Sequence, residues 1–397
     1  VCGPLPAFFR SPSPEIHEAF WNPDGVLKTF LLEDWLEEHA ESVPEFPLGG
    51  STGPAWTLRS LLELDGRSSL ERMLQADVLY SRAAGATELR QAIAQMQDVP
   101  MERILVMTGA GEALSHIFSA AAQPGANVIV PAPCFPPYNA VPQALGLEVR
   151  EYRLRREESF EIDLDEIRRL TDSQTKLILV NSPHNPTGSV IADKTMEALH
   201  DFAAERGVQF VSDEVYHPIY HGTAMASASR LASATVVGDL SKAFALSGLR
   251  VGWIVEPDKR RRDTYLTARE YCTVSNSPIT EFLGEIAVRH RQAILDRTRE
   301  VAQANVKLLE QVLEEHAGVV GWVRPRGGMT AFPWLLSGAD SRSFCDRAAA
   351  QGLLFAPGDC FGVRDHFRIS FGVGRDWYAA AMQLFGKLLN AWPTDAL

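Results

Sequence analysis

Between residue 84 and about residue 255, short apolar or β-branched runs alternate with helix-spaced patterns. The runs are Ile104–Met107, Asn127–Val130, Lys176–Val180, Val208–Ser212, Thr235–Val237 and Val251–Val255. Strand-length runs separated by helical stretches predict parallel strands joined by crossover helices. The chain before this region has a different texture. A Pro-rich opening precedes an acidic amphipathic stretch, Leu31–His39, in which Leu31, Leu32, Trp35 and Leu36 recur at helical spacing. After Pro278, a natural first-turn residue, a helical pattern runs from Ile279 to Glu315 without internal proline and with Gly284 as its one interruption. It predicts one long helix or two consecutive ones. Strands around Val319–Val323, Met329–Trp334 and Phe367–Phe371, with helices near Arg342–Gln351 and Trp377–Leu389, then predict a smaller α+β lobe.

A chain of 397 residues can hold two or more lobes around a substantial core. Hydrophobic residues at 46 % and charged residues at 22 % are ordinary globular usage, which argues against a disordered or fibrous protein. With 38 basic and 50 acidic residues the formal charge is −12, so attraction to nucleic acid or an anionic membrane is not expected. The basic cluster Lys259–Arg262 is bracketed by Asp258 and Asp263 and reads as a solvated helix start. Five scattered cysteines without C-x-x-C spacing suit a reducing cytoplasm. No apolar stretch reaches membrane-span length, and the opening Val1-Cys2-Gly3-Pro4-Leu5 lacks a charged export signal.

The most informative residue is Lys242, in the run Gly238-Asp239-Leu240-Ser241-Lys242-Ala243-Phe244. Flanked by small and apolar residues, it is poorly placed for a surface charge. It is well placed for a desolvated amine that forms a Schiff base. Thr108-Gly109-Ala110-Gly111 follows a predicted strand and opens a helix, a position whose free N–H groups favour an anion. A dinucleotide fold would use the same glycines, but Leu114 stands where its third glycine belongs. Asp213 falls just beyond a predicted strand, where ligands of open α/β sheets bind. Arg368 is a charge inside an apolar strand, and its planar fork suits a carboxylate.

Together these runs resemble the pyridoxal-phosphate (PLP) aminotransferases of classes I and II, the aspartate-aminotransferase type of fold type I. The resemblance extends from about Tyr80 to Phe371 and implies the following roles. Lys242 carries the cofactor; Ala110, Gly111, Ser241 and Arg250 hold its phosphate; Asp213 meets the ring nitrogen. Tyr216 and Asn185 bond the phenolic oxygen, and Phe135 stacks on the ring. Tyr80 reaches the phosphate of a neighbouring subunit, implying a homodimer with shared sites. Arg368, with Asn185, binds the substrate's α-carboxylate. The implied fold class is α/β, with an N-terminal arm and part of the small domain over 1–60. A large PLP-binding domain with a mostly parallel sheet between helices spans 61–295, and a small α+β domain spans 296–397. The implied reaction moves an amino group from an L-amino acid to a 2-oxo acid.

One position departs from the family pattern. Asp239 stands where Ser or Gly is usual, and a carboxylate beside a phosphate would be repelled. The expectation is that Asp239 turns away or pairs with a basic neighbour such as Arg250. The segment Pro47–Ser51 is expected to close over the substrate. His217 and His221 have ligand-like spacing, but Pro218 disfavours a regular helix and no third ligand is evident. Two alternatives stay open for function. Gly238–Lys242 and Ala356–Gly362 are similar to a branch that includes capreomycidine-synthase-like cyclases, so the same residues could serve a lyase or cyclase. A regulator built on an aminotransferase-like domain would ordinarily carry a DNA-binding module, and the first 60 residues show no basic helix-turn-helix.

Overall fold

The computed structural model describes residue 27 and residues 29–40, 44–66 and 68–392. Most of the expected Pro-rich opening, with Cys2, lies outside the described residues. The centre is a seven-stranded sheet in the order Ile104–Met107, Gly252–Val255, Thr235–Asp239, Gln209–Asp213, Thr175–Asn181, Asn127–Ala132 and Glu148–Arg153. Its interior strands read as unbroken apolar runs because helices cover both faces. Val128, Ile129 and Val130, and Leu177 through Val180, are fully buried.

The strand Gly252–Val255 is antiparallel to both neighbours, Ile104–Met107 and Thr235–Asp239. Apolarity alone gives no direction, but the connection does. The segment from Leu240 to Val251 contains no α-helix, and a parallel return is ordinarily made through one. The chain therefore turns straight back, and the loop is closed by the Leu240 N–H on the Val251 carbonyl (2.9 Å) and the Leu246 N–H on the Leu240 carbonyl (2.8 Å). Lys242 rides on this loop.

Glu148–Arg153 is a strand that apolar runs do not announce. It pairs with Asn127–Ala132 at the sheet edge, and its sequence EVREYR carries charges on both faces with only Tyr152 buried, the polar character edges commonly have. The pattern after Pro278 resolves into two helices, Pro278–Arg289 and Arg291–Glu315, and the second crosses residue 295 without a break. The basic cluster does start a helix, Lys259–Glu270, with Asp258 as its N-cap. It is not wholly solvated, since Arg261 pairs with the fully buried Glu256 at 2.8 Å.

A second, three-stranded antiparallel sheet joins Thr330–Ala331, Phe367–Ser370 and Ala356–Pro357. Rings of Phe344, Phe355, Phe367 and Phe385 pack behind it, with centroids as close as 4.8 Å. The N-terminal segment is built into this unit. Phe46–Pro47 pairs in parallel with Leu353–Leu354, and the Leu48 carbonyl accepts from the Ser370 N–H at 2.8 Å. Among the described residues no helix is long and apolar enough to cross a membrane.

Candidate active site

The parallel strands end along one edge of the large sheet, where loops leave room for a ligand. Five features converge there.

The helix Ala110–Ala121 begins directly after the strand Ile104–Met107, and its first N–H groups, including those of Ala110 and Gly111, have no partner within the helix. Gly109 has φ +83°, and a Cβ there would run into the Arg250 guanidinium. Gly252 is equally constrained, because its Cβ would meet the Gly109 carbonyl carbon at 2.6 Å. Arg250 ends a short 3-10 turn in the left-handed region, φ 51°. Its guanidinium donates to the Ser247 carbonyl at 3.1 Å and, at 3.4 Å each, to the Ser241 hydroxyl and the Thr108 carbonyl. No carboxylate claims it among the described residues. Helix start, Ser241 and Arg250 thus form a positive cup that could hold a phosphate.

Asp239 ends the strand Thr235–Asp239 and is buried. It does not pair with Arg250. Its Oδ1 accepts from the Ser241 N–H at 2.9 Å, which ties the carboxylate to the loop backbone and leaves the Ser241 hydroxyl for the cup.

Asp213 ends the next strand and is 2 % exposed. Burial pushes its carboxyl up to about 7, although the Val215 N–H (3.1 Å) and the Tyr138 hydroxyl (2.8 Å) both donate to it. Those two donors do not offset the desolvation of the ion. A buried carboxyl held this way has capacity for a further cationic partner. The neighbouring Tyr216 hydroxyl lies near Ser51 but in no well-formed hydrogen bond, and it too is buried.

Lys242 donates to the Ser51 hydroxyl at 3.0 Å. Burial lowers its pKa, with the Asp239 carboxylate opposing that shift. An amine in this position loses its proton more readily than a surface lysine.

Arg368, in the middle of the small sheet, is 2 % exposed. It donates to the Asn185 side-chain carbonyl at 3.0 Å and to the Gly49 carbonyl at 2.5 Å, and its Nε has no partner. Asn185 is itself positioned by its backbone N–H on Asn181 Oδ1 at 2.8 Å, while Asn181 Nδ2 donates to the Asp213 carbonyl at 3.0 Å. The Arg368 side chain also lies over the Phe361 ring, 4.9 Å from its centroid.

The fold therefore brings together Lys242, Asp213, Tyr216, Ser241, Arg250, Ala110, Gly111, Asn185 and Arg368. Phe135 is half-buried with its ring 5.8 Å from Tyr138, the residue that bonds Asp213. Tyr80 does not join the group within one chain; it is 85 % exposed. His217 bonds the Tyr220 hydroxyl and His221 the Gly328 carbonyl, each at 2.8 Å. Sequence reasoning missed Tyr138 as the Asp213 partner and Gly49 as an Arg368 acceptor. Separations of 75 and 319 residues explain why. Pro47–Ser51 is not a free flap: Leu48 is fully buried, and Gly49 and Ser51 form a wall of the site.

An anion cup, a buried carboxyl awaiting a cation, an underused phenol and a lowered-pKa amine fit pyridoxal 5'-phosphate, and the architecture is that of a fold-type-I PLP enzyme. The chain belongs to the class I and II aminotransferases, whose family profile matches residues 64–382. It is 31 % identical over 358 residues to the capreomycidine synthase of Streptomyces vinaceus, covering 88 % of this chain and 91 % of that one. It is 29 % identical over 326 residues to the arginine–pyruvate transaminase of Pseudomonas aeruginosa, covering 78 % and 82 %. A PLP-dependent aminotransferase structure from Streptococcus suis superposes with a TM-score of 0.87 at 25 % identity, covering 92 % of this chain and 98 % of that one. Amino acids and 2-oxo acids are the substrates of this family.

Proposed function

We propose that this chain uses Lys242 to move the amino group of an L-amino acid to a 2-oxo acid, with Arg368 binding the α-carboxylate of each. The observation that carries this reading is Arg368. A buried guanidinium with carbonyl acceptors only, and with Nε unpartnered, is costly unless a carboxylate completes it. A substrate's α-carboxylate does so and places the α-carbon between Arg368 and Lys242.

Lys242 would join the cofactor's aldehyde covalently; Asp213 would hold a protonated ring nitrogen; Ser241, Arg250 and the helix start at Ala110 and Gly111 would hold the phosphate. Tyr216 and Asn185 would donate to the phenolic oxygen, and Phe135 would cover the ring. Bound pyridoxal phosphate supplies an electron-withdrawing ring that stabilises negative charge at the substrate's α-carbon. Once released from the cofactor, the Lys242 amine takes the α-proton at Nζ, because burial favours its uncharged form, and later returns a proton. Ser51 orients that amine, and the packed wall from Leu48 to Ser51 keeps bulk water from it.

A second reading, elimination or cyclisation on a substituted amino acid, is favoured by the likeness to capreomycidine synthase. It uses the same residues up to loss of the α-proton. The deciding experiment incubates the holoenzyme with single amino acids and no oxo-acid acceptor, then weighs the cofactor and the products. Pyridoxamine phosphate with the matching oxo acid establishes amino transfer; unchanged pyridoxal phosphate beside a consumed amino acid establishes the second reading.

Two chains would pair across the surface that carries Val78, Leu79 and Tyr80, which are 77 %, 75 % and 85 % exposed in one chain. Tyr80 would then complete the partner's phosphate cup. Sedimentation at micromolar concentration tests the pairing, and a monomeric holoenzyme with full activity would discard it.

A further inference from the structure

Two hydrogen bonds reach the Asp213 carboxylate, one on each oxygen, and they differ in origin. The Val215 N–H on Oδ1, at 3.1 Å, comes from two residues further on, a bond that an Asp entering a turn commonly makes with its own backbone. The Tyr138 hydroxyl on Oδ2, at 2.8 Å, comes from 75 residues away. Tyr138 is 1 % exposed, and its hydroxyl makes no other hydrogen bond among the described residues. Burial, and after it the Asp213 charge, push its pKa well above the usual phenol range, so it stays a neutral donor.

The local sequence makes this reach rigid. Phe135-Pro136-Pro137-Tyr138 enters the helix Pro137–Ala144 with a proline in its first turn, where no N–H is needed and φ is preset. The Tyr138 N–H closes the turn on the Phe135 carbonyl at 3.0 Å. The two rings stand edge to face, 85° apart with centroids at 5.8 Å. Phe135, given above to the face of the cofactor ring, and Tyr138, bonded to the carboxylate given to its nitrogen, are thus two ends of one clip.

Among the described residues no other side chain donates to the Asp213 carboxylate. The Asp239 and Glu214 carboxylates oppose its charge, and the Tyr216 phenol and the Lys242 amine lie within its field. Tyr138 is therefore the one side chain that both orients this carboxylate and supports its charge.

We infer that Tyr138 is a positioning residue of the cofactor site, its hydroxyl fixing the Asp213 carboxylate in the orientation that receives the protonated ring nitrogen. The inference rests on the role given above to Asp213. Burial pushes the Asp213 carboxyl up to about 7, so without cofactor it is mostly neutral at pH 6 and charged at pH 9. At pH 6 it takes on its charge as the ring nitrogen arrives, and a hydrogen bond to a charged acceptor is the stronger one. The Tyr138 hydroxyl thus strengthens cofactor binding at pH 6 and hardly at pH 9.

The test measures the affinity of the full chain for pyridoxal 5'-phosphate by absorbance titration at both pH values. Wild type, Tyr138→Phe, Asp213→Asn and the double variant are compared. Phenylalanine keeps the buried ring and removes the donor alone. Tyr138→Phe is expected to weaken binding about 10-fold at pH 6 and less than about twofold at pH 9. In the Asp213→Asn background its effect at pH 6 should shrink to within about twofold, because a neutral amide takes on no charge. A loss equal at both pH values, a loss equal in both backgrounds, or no loss at pH 6 overturns the inference. Asp213→Asn keeps this failure apart from that of the role on which it rests. If Asp213→Asn leaves affinity at pH 6 unchanged, the ring-nitrogen role fails and the inference with it; if Asp213→Asn weakens binding and Tyr138→Phe does not, only the role of Tyr138 fails.

Discussion

The wall proposed to face the cofactor and the wall proposed to face the substrate are held by different means. The cofactor wall is made of strand ends and helix starts of one sheet, so Asp213, Asp239 and the helix start at Ala110 are fixed by the ladder itself. The substrate wall is assembled from remote pieces. Trp35 reaches Phe355 across 320 residues, and Arg368 reaches Gly49 across 319. A site that keeps its cofactor while changing its substrate would be built in this way, with chemistry in the rigid part and selection in the assembled part.

The largest expected effect tests the rigid part. Lys242→Ala should lower turnover by about 10⁴-fold or more, since in the proposed reaction one residue would serve as cofactor anchor and general base. The fold should be unchanged, because the amine makes a single hydrogen bond, to Ser51. Circular dichroism and phosphate-cup occupancy check that half of the expectation. A variant that unfolds would mean that Lys242 holds the wall up rather than acting from it.

Asp213→Asn comes next, with a loss of roughly 10²- to 10³-fold in turnover, because a neutral amide cannot hold a proton on the cofactor's ring. It also has a signature without cofactor. The folded carboxyl is pushed up to about 7 from an ordinary 3.8, so the folded cofactor-free protein binds more protons than the unfolded chain between those values. Stability from this group is therefore full below about pH 4, falls by up to about 1.4 kcal/mol per pH unit as pH rises toward 7, and is flat above. Denaturant titrations of the cofactor-free protein should show that slope, and Asp213→Asn should remove it.

These two residues were also the most legible in the sequence, for the same reason that they are rigid. A strand run followed at once by Asp213, or a lysine in a run of small residues, is a local pattern, and the sheet turns local order into spatial order. The large sheet was readable from its apolar runs except where a direction or an edge was at stake. Gly252–Val255 is antiparallel because its connection carries no crossover helix, and Glu148–Arg153 is polar because it is an edge. On the substrate side Arg368 showed as a charge in an apolar strand and Pro47–Ser51 as a segment over the substrate. That the Gly49 carbonyl holds Arg368 and the Ser51 hydroxyl meets Lys242 carries no local mark, since those partners lie far along the chain.

Arg368→Lys should separate the two walls. Loss of the planar fork removes a bidentate grip, so KM for the amino acid should rise roughly 10- to 100-fold while affinity for pyridoxal phosphate is unchanged. Steady-state kinetics with an independent cofactor titration measures both. A parallel loss of cofactor affinity would show that the walls are coupled through Asn185, which bonds Arg368 directly and is tied through Asn181 to the Asp213 carbonyl.

Ser51→Ala is the mildest change and the sharpest probe of the boundary, because Ser51 belongs to the substrate wall by sequence and to Lys242 by contact. One neutral hydrogen bond to an amine orients it by about 1 kcal/mol, so kcat should fall about fivefold with KM little changed. The hydroxyl also lies near Tyr216, so its removal should alter the absorbance of the bound cofactor if Tyr216 bonds the phenolic oxygen. A fall in kcat without a spectral change would assign Ser51 to the lysine alone. A change in KM with kcat intact would instead place it wholly with the substrate, and the division between rigid chemistry and assembled selection would then run through the Lys242–Ser51 hydrogen bond itself.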